Sequence, residues 1–448
     1  MFQLEERRIN RITFFILVTL LLSWICFAFM LLYGSKTNLL VAYFSYLIIS
    51  TIFILASKKD IFSPLGLFAI LGFQAFGVNI PLLSSKSITI LGIINDATLY
   101  KITVVVIVAQ LGFFFGAIIP WNRILPFATI ISSRKNTKNI SFPIFIIFFA
   151  FIALAGIIRI KFHLGEAGTQ PTIPFAGIIQ YFLYYGAIIV ALWTLAQGSR
   201  QGKTQTLWSL VLILIIAATQ VMLGWRGGII HVLIMVFFIF WYNTLIYSEK
   251  KIKVLGWLLI LLILVPSFMN QASKIRSDRV GGESSYGHSA EAFGSKFITR
   301  TQGTTRLAGV VDLVGELTLT NNFMLFELRK KGLSSTQYID RKLYGVVKGQ
   351  SHSVGTSGPG GPYLCFGLLG VFFSYFFLGS FFSGLYNTMK QFGKTNSLTL
   401  VWYAITSHTL FGALSENFNM NTLKLMFIVA IMVFSFGKFV TTYRNHSS

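Results

Sequence analysis

Arg276, Arg279, His288, Arg300, Arg306 and His352 all fall within one long polar insert that interrupts an otherwise apolar chain. Guanidinium groups are planar, stay charged and grip phosphate oxygens through paired N–H donors, so four of them in one loop point to an anionic ligand. Histidine and carboxylate side chains can take a proton from an attacking hydroxyl. His352, His288, Glu283, Asp312 and Glu316 are the candidates that the insert supplies. A fifth arginine, Arg226, sits in Gly224-Trp225-Arg226-Gly227-Gly228, where one apolar run turns back into the next with almost no loop. Glycines permit close backbone approach there and leave N–H groups at the next helix start available to an anion beside the guanidinium. A lipid pyrophosphate suits that arrangement; the alternative for Arg226 is a headgroup anchor that snorkels to the interface.

These residues must be positioned by membrane helices. A chain of 448 residues that is 54% hydrophobic, 11% charged and holds 45 phenylalanines cannot present a water-soluble surface. The expected fold is all-α, a polytopic membrane helical bundle. Apolar runs of roughly 17–25 residues recur near 12–33, 39–56, 62–83, 101–120, 142–160, 175–197, 207–225, 229–247, 254–270, 362–386, 396–414 and 421–440. About twelve transmembrane helices result, with nine spans in 1–270, a large loop in 271–361 and three spans in 362–448. The first run is too long for a signal-peptide core and reads as a retained helix.

Charge sets the expected orientation. Arg7, Arg8 and Arg11, Lys58 and Lys59, Arg123 and Arg134, Arg200 and Lys203, Lys250 and Lys251, and Lys390 and Lys394 mark alternate short connections as cytoplasmic, with both termini on that side. The long insert then lies outside the cytoplasm. It holds 12 of the 37 Lys and Arg residues, and because the positive-inside rule governs short loops, this excess asks for a ligand. The net charge of +23 is spread in short clusters rather than in one stripe, which disfavours nucleic acid as a partner. Cys26 and Cys365 lie in apolar runs, so no disulfide framework or thiolate metal site is indicated.

The insert reads as folded. Apolar residues recur at helical spacing through Val310, Val311, Leu313, Val314 and Leu317, and again through Ile339, Leu343, Val346 and Val347. Ser334 and Gln337 resemble a capping box. Gly281 and Gly282, and the stretch from Gly355 to Pro362, are too rich in glycine and proline for helix and are expected as loops at the membrane surface. Amphipathic helices lying against the bundle would roof or wall a cavity open to lipid. Asp312 and Glu316, four apart, are expected to share a helical face. His231 and His408 fall inside spans, where a hydrogen bond between helices is the ordinary role. There is no Walker loop, HExxH or nucleophile elbow, and Asp96 stands alone in the first outer loop, so neither a metal nor a cofactor is expected.

The GWRGG turn leading into IIHVLIMVFFIF, the arginine-bearing loop late in the chain, and the following GPYLCFGLLGVFFSYFFLGSFFSGLY together resemble the Wzy-type O-antigen or oligosaccharide repeat-unit polymerases of bacteria. The specific motifs cover about 60 residues of the chain. Gly360-Gly361-Pro362-Tyr363 stands where members more often have Gly-Glu-x-Tyr, so the carboxylate sometimes seen there is missing. The resemblance implies a GT-C-like bundle in the bacterial inner membrane and a metal-independent glycosyltransferase of lipopolysaccharide or other polysaccharide biosynthesis. A sugar chain on undecaprenyl pyrophosphate would be moved onto another lipid-linked repeat unit on the periplasmic face. Partners implied are undecaprenyl-pyrophosphate-linked oligosaccharides, membrane lipids and a chain-length regulator. Arg226, Arg276, Arg279, Arg300 and Arg306 would hold pyrophosphate or glycan, and His352, Glu316 or His288 would act on the acceptor hydroxyl. An O-antigen ligase and a flippase of lipid-linked oligosaccharide are the rival readings.

Overall fold

A computed structural model describes Ile25, residues 36–119 apart from 58, 59, 61, 78, 85–87, 90 and 91, and residues 142–161, 176–201, 203–222, 226–247, 303–320, 357–393, 397–415, 426 and 428–436. Within them the architecture is helical. Helix α1 (Thr37–Ala56) is followed by α2 (Pro64–Gly72), a π-helical turn (Phe73–Gly77) and α3 (Asn79–Ser84). A small hairpin, β1 (Ile88–Thr89) against β2 (Gly92–Ile93), leads into α4 (Asp96–Ile118). Then come α5 (Phe142–Lys161), α6 (Ala176–Gln201), α7 (Lys203–Met222), α8 (Arg226–Tyr247), α9 (Gly303–Val314), α10 (Gly360–Phe392) and α11 (Ser397–Ser415).

Local chemistry sets several of these boundaries. Pro64 stands in the first turn of α2, where its missing N–H costs nothing, and Ser63 Oγ accepts from Gly66 N. Asn95 Oδ1 accepts from Thr98 N at 2.8 Å and starts α4. Among the described residues, five helical stretches are long and apolar enough to cross a membrane: Thr37–Ala56, Pro64–Pro81, Asp96–Ile118, Ile178–Gln197 and Gly360–Phe392. Shorter apolar stretches, Thr206–Gln220 and Val232–Asn243, accompany them. The expected spans at 12–33 and 254–270 lie outside the described residues, apart from Ile25. Outward-facing Val41, Ile52, Leu55, Leu207, Phe373 and Phe377 give the bundle an apolar exterior.

The closest helix pair is α4 with α10. A Cβ added at Gly112 or Gly116 would strike the main-chain oxygen of Phe372 or Phe376, and one at Gly379 would strike that of Phe113. Ser380 Oγ donates to Gly116 O at 3.1 Å and Ser383 Oγ to Ala117 O at 2.9 Å. Small residues thus bring two backbones together, and hydroxyls bridge them, as membrane helices require when solvent supplies no drive to pack.

One end of the bundle is tied at Asp60, a buried carboxylate in the connection between α1 and α2. Tyr386 Oη on α10 donates to its Oδ2 at 2.5 Å, and Trp241 Nε1 on α8 and Phe62 N donate to Oδ1 at 3.4 and 3.2 Å. Tyr242 on α8 and Tyr403 on α11 both donate to Phe62 O, at 2.7 and 3.0 Å. Three separate helices are therefore fixed to one short connection.

Replacing Gly116 with leucine is expected to lower stability by about 1–3 kcal/mol or abolish folding, whereas Gly156→Ala, with nothing within 4 Å of the added Cβ, leaves it unchanged or slightly raised. Asp60→Ala strands the buried Tyr386 donor and the half-buried Trp241 donor and is expected to cost about 1–3 kcal/mol per fully buried orphaned group, with Asp60→Asn milder. Thermal unfolding in detergent checks both series.

Candidate functional site

The opposite end of the bundle carries α9, the helix of the insert. Since Tyr242 touches the Asp60 connection, the 16 residues back to Arg226 span about 24 Å along α8. Arg226 is the first residue of α8, with Gly227 and Gly228 in the first turn, so its main chain lies at the α9 end. By the same measure Gly367 of α10 lies about 28 Å from Tyr386, at that end too. By these lengths the main-chain start of α8 and helix α9 lie toward the same end of the described helices.

Helix α9 covers Gly303–Val314 and buries Leu307, Ala308, Val310 and Val311. It is attached at both ends. Thr304, fully buried, donates from Oγ1 to Ala75 O at 3.0 Å, and the same carbonyl takes Asn79 Nδ2 at 3.1 Å. Ala75 lies in the π-helical turn, where the regular main-chain ladder is interrupted and a carbonyl is open to side-chain donors. At the other end Thr98 Oγ1 on α4 donates to Asp312 Oδ1 at 2.7 Å, and Lys101 Nζ donates to Gly315 O. An ammonium at a helix C-terminus also meets the negative end of the helix dipole.

Gly315 ends α9. Its φ of +83° is left-handed, and its N–H closes on Val311 O at 3.0 Å. Glu316 therefore lies beyond the helix and does not share a helical face with Asp312, as its spacing had suggested. Its side chain is exposed, and its carbonyl accepts from Tyr363 Oη at 3.2 Å.

Residues after Gly315 run along a break in α10. Gly367, at φ 70° and ψ −158°, is outside helical geometry, and the freed N–H groups of Leu368 and Leu369 donate to Thr318 O and Leu319 O at 3.1 and 3.0 Å. The first piece of α10 starts at Gly360, so the end of the Gly355–Pro362 stretch is helix and not surface loop. Gly360 and Gly361 are buried, and a Cβ at Gly360 would come within 3.1 Å of Val310 Cγ2, so glycine lets this turn seat under α9. Pro362 sits in the first turn, where a helix needs no N–H.

Arg306 lies in the first turn of α9 and is half-buried. Side-chain positions for Arg276, Arg279, Arg300, His288, His352 and Glu283 fall outside the described residues, as does that of Arg226. His408 is buried in α11, and its Nδ1 lies 3.0 Å from Ile405 O on its own helix. Asp96 Oδ2 accepts from Lys36 N at 2.9 Å. Among the described residues no three His, Cys, Asp or Glu side chains converge as a metal site would need.

Sequence reading missed Thr98, Lys101, Thr304 and Tyr363, which carry the contacts between insert and bundle. Only Lys101, a charge in the first turns of an apolar span, gave a signal.

Among the described residues, fold and composition define a predominantly helical protein in which five helices have the length and apolarity to cross a membrane. Comparison with protein-family models, with curated proteins and with solved structures finds no match.

Gly367→Ala forces a side chain into a left-handed main chain and is expected to loosen the 315–320 segment from α10. Faster proteolysis within that segment, with the rest of the bundle still protected, is the expected readout.

Proposed function

We propose that the chain is a bacterial inner-membrane glycosyltransferase that polymerises lipid-linked oligosaccharide repeat units on the periplasmic face, without a metal. The observation that supports this reading is that α9, which bears Arg306, packs on α4, α10 and the π-helical turn, toward the end from which α8 starts at Arg226. Those two arginines, with Arg276, Arg279 and Arg300 of the same insert, would meet the chemistry of the reaction. As the glycosidic bond to undecaprenyl pyrophosphate breaks, negative charge grows on the leaving pyrophosphate, and fixed cations outside bulk water stabilise it. The acceptor hydroxyl loses its proton to His352, His288 or Glu316 as it attacks the anomeric carbon. The lipid tails of donor and acceptor would lie against the apolar exterior of the spans.

A ligase transferring the finished polymer from the same carrier would use the same cations. A flippase would need charge buried along its path. Among the described residues the buried charged side chain is Asp60, which sits in a connection and not within a span, and this favours the enzyme.

Arg226→Ala and Arg306→Ala are each expected to remove long-chain polymer at normal expression, with single repeat units accumulating outside the cytoplasm. Lysine at either position is expected to recover little, because a point charge lacks the bidentate fork. Glycan profiles of the variant strains decide the matter. Wild-type polymer in both alanine variants overturns the arginine site, and repeats trapped in the cytoplasmic leaflet would identify a flippase.

A further inference from the structure

We propose that Thr304 and Thr98 are positioning residues for an anion-binding Arg306, setting where its guanidinium stands at the end of the bundle. The proposal rests on the anion site of the preceding reading and adds the residues that orient it.

Arg306 belongs to α9, so its location depends on what fastens that helix. Two side-chain bonds do so from different helices. Thr304, two residues from Arg306, is fully buried and reaches the Ala75 carbonyl of the π-helical turn. Asp312, two turns later, accepts from Thr98, which is itself buried and held by the Asn95 cap. A helix fixed at one point can swing; one fixed near both ends keeps its axis and its roll. The π turn gains a function from this. Bidentate recognition of a phosphate needs the guanidinium plane set within narrow limits, so loss of either threonine hydroxyl is expected to weaken the ligand rather than the fold.

The test measures inorganic pyrophosphate binding to the purified full-length protein in detergent by calorimetry, alongside thermal unfolding. Thr304→Val, which keeps shape and loses the hydroxyl, is expected to weaken binding about tenfold, and Thr304→Ser to bind like the wild type. In an Arg306→Lys background, where the fork is already gone, Thr304→Val is expected to add little. If Thr304→Val does not fold, Thr98→Val carries the same expectation. Wild-type affinity in the valine variants, or an equal loss in the Arg306→Lys background, overturns the positioning role. So does a wild-type protein indifferent to pyrophosphate. Should deletion of the gene leave the glycan ladder intact while the binding results hold, the polymerase reading falls and the positioning role stands.

Discussion

Helices that face lipid gain little from hiding apolar side chains, since the lipid is as apolar as they are, and α4 and α10 therefore hold one another by close approach. Gly112, Gly116 and Gly379 let each backbone reach the other's carbonyls, and Ser380 and Ser383 add hydroxyl bonds across the gap. Several attachments at the α9 end refer to this pair. Thr98 and Lys101 lie at the start of α4, and Tyr363 and the Gly367 break lie at the start of α10, so the pair presents one rigid platform for the insert.

Irregular main chain is costly in an apolar surrounding unless its polar groups find partners. Here the irregularities are where the insert attaches. The π turn offers Ala75 O to Thr304, and the Gly367 break offers the N–H groups of Leu368 and Leu369 to the 315–320 segment. The insert is thus built into the bundle by backbone groups that regular helices would have kept for themselves. For the proposed reaction, a cation held this way would stand in place before charge develops on the leaving group, which is the condition for electrostatic stabilisation to be effective.

The other end is organised by a single buried acceptor set. Asp60 and the Phe62 carbonyl draw donors from α8, α10 and α11, with Lys390 stacked 4.9 Å from the Tyr386 ring centroid. A buried carboxylate without partners would be strongly unfavourable, and here satisfied partners turn it into a junction.

Composition and periodicity by themselves determined that the chain is helical and apolar enough for membrane spans, because length and hydropathy depend on local sequence alone. Helical spacing likewise located α9, and glycine chemistry marked the Arg226 turn. Tertiary structure alone decided which irregularities are used and by whom. Asp312 was expected to share a face with Glu316 because spacing assumes an unbroken helix, and Gly315 breaks it. Gly360 to Pro362 looked like loop because propensity cannot register a buried seat beneath Val310. Thr98 and Thr304 left no trace in the sequence, since a threonine becomes a tether only when residues some 200 positions away bring it a partner.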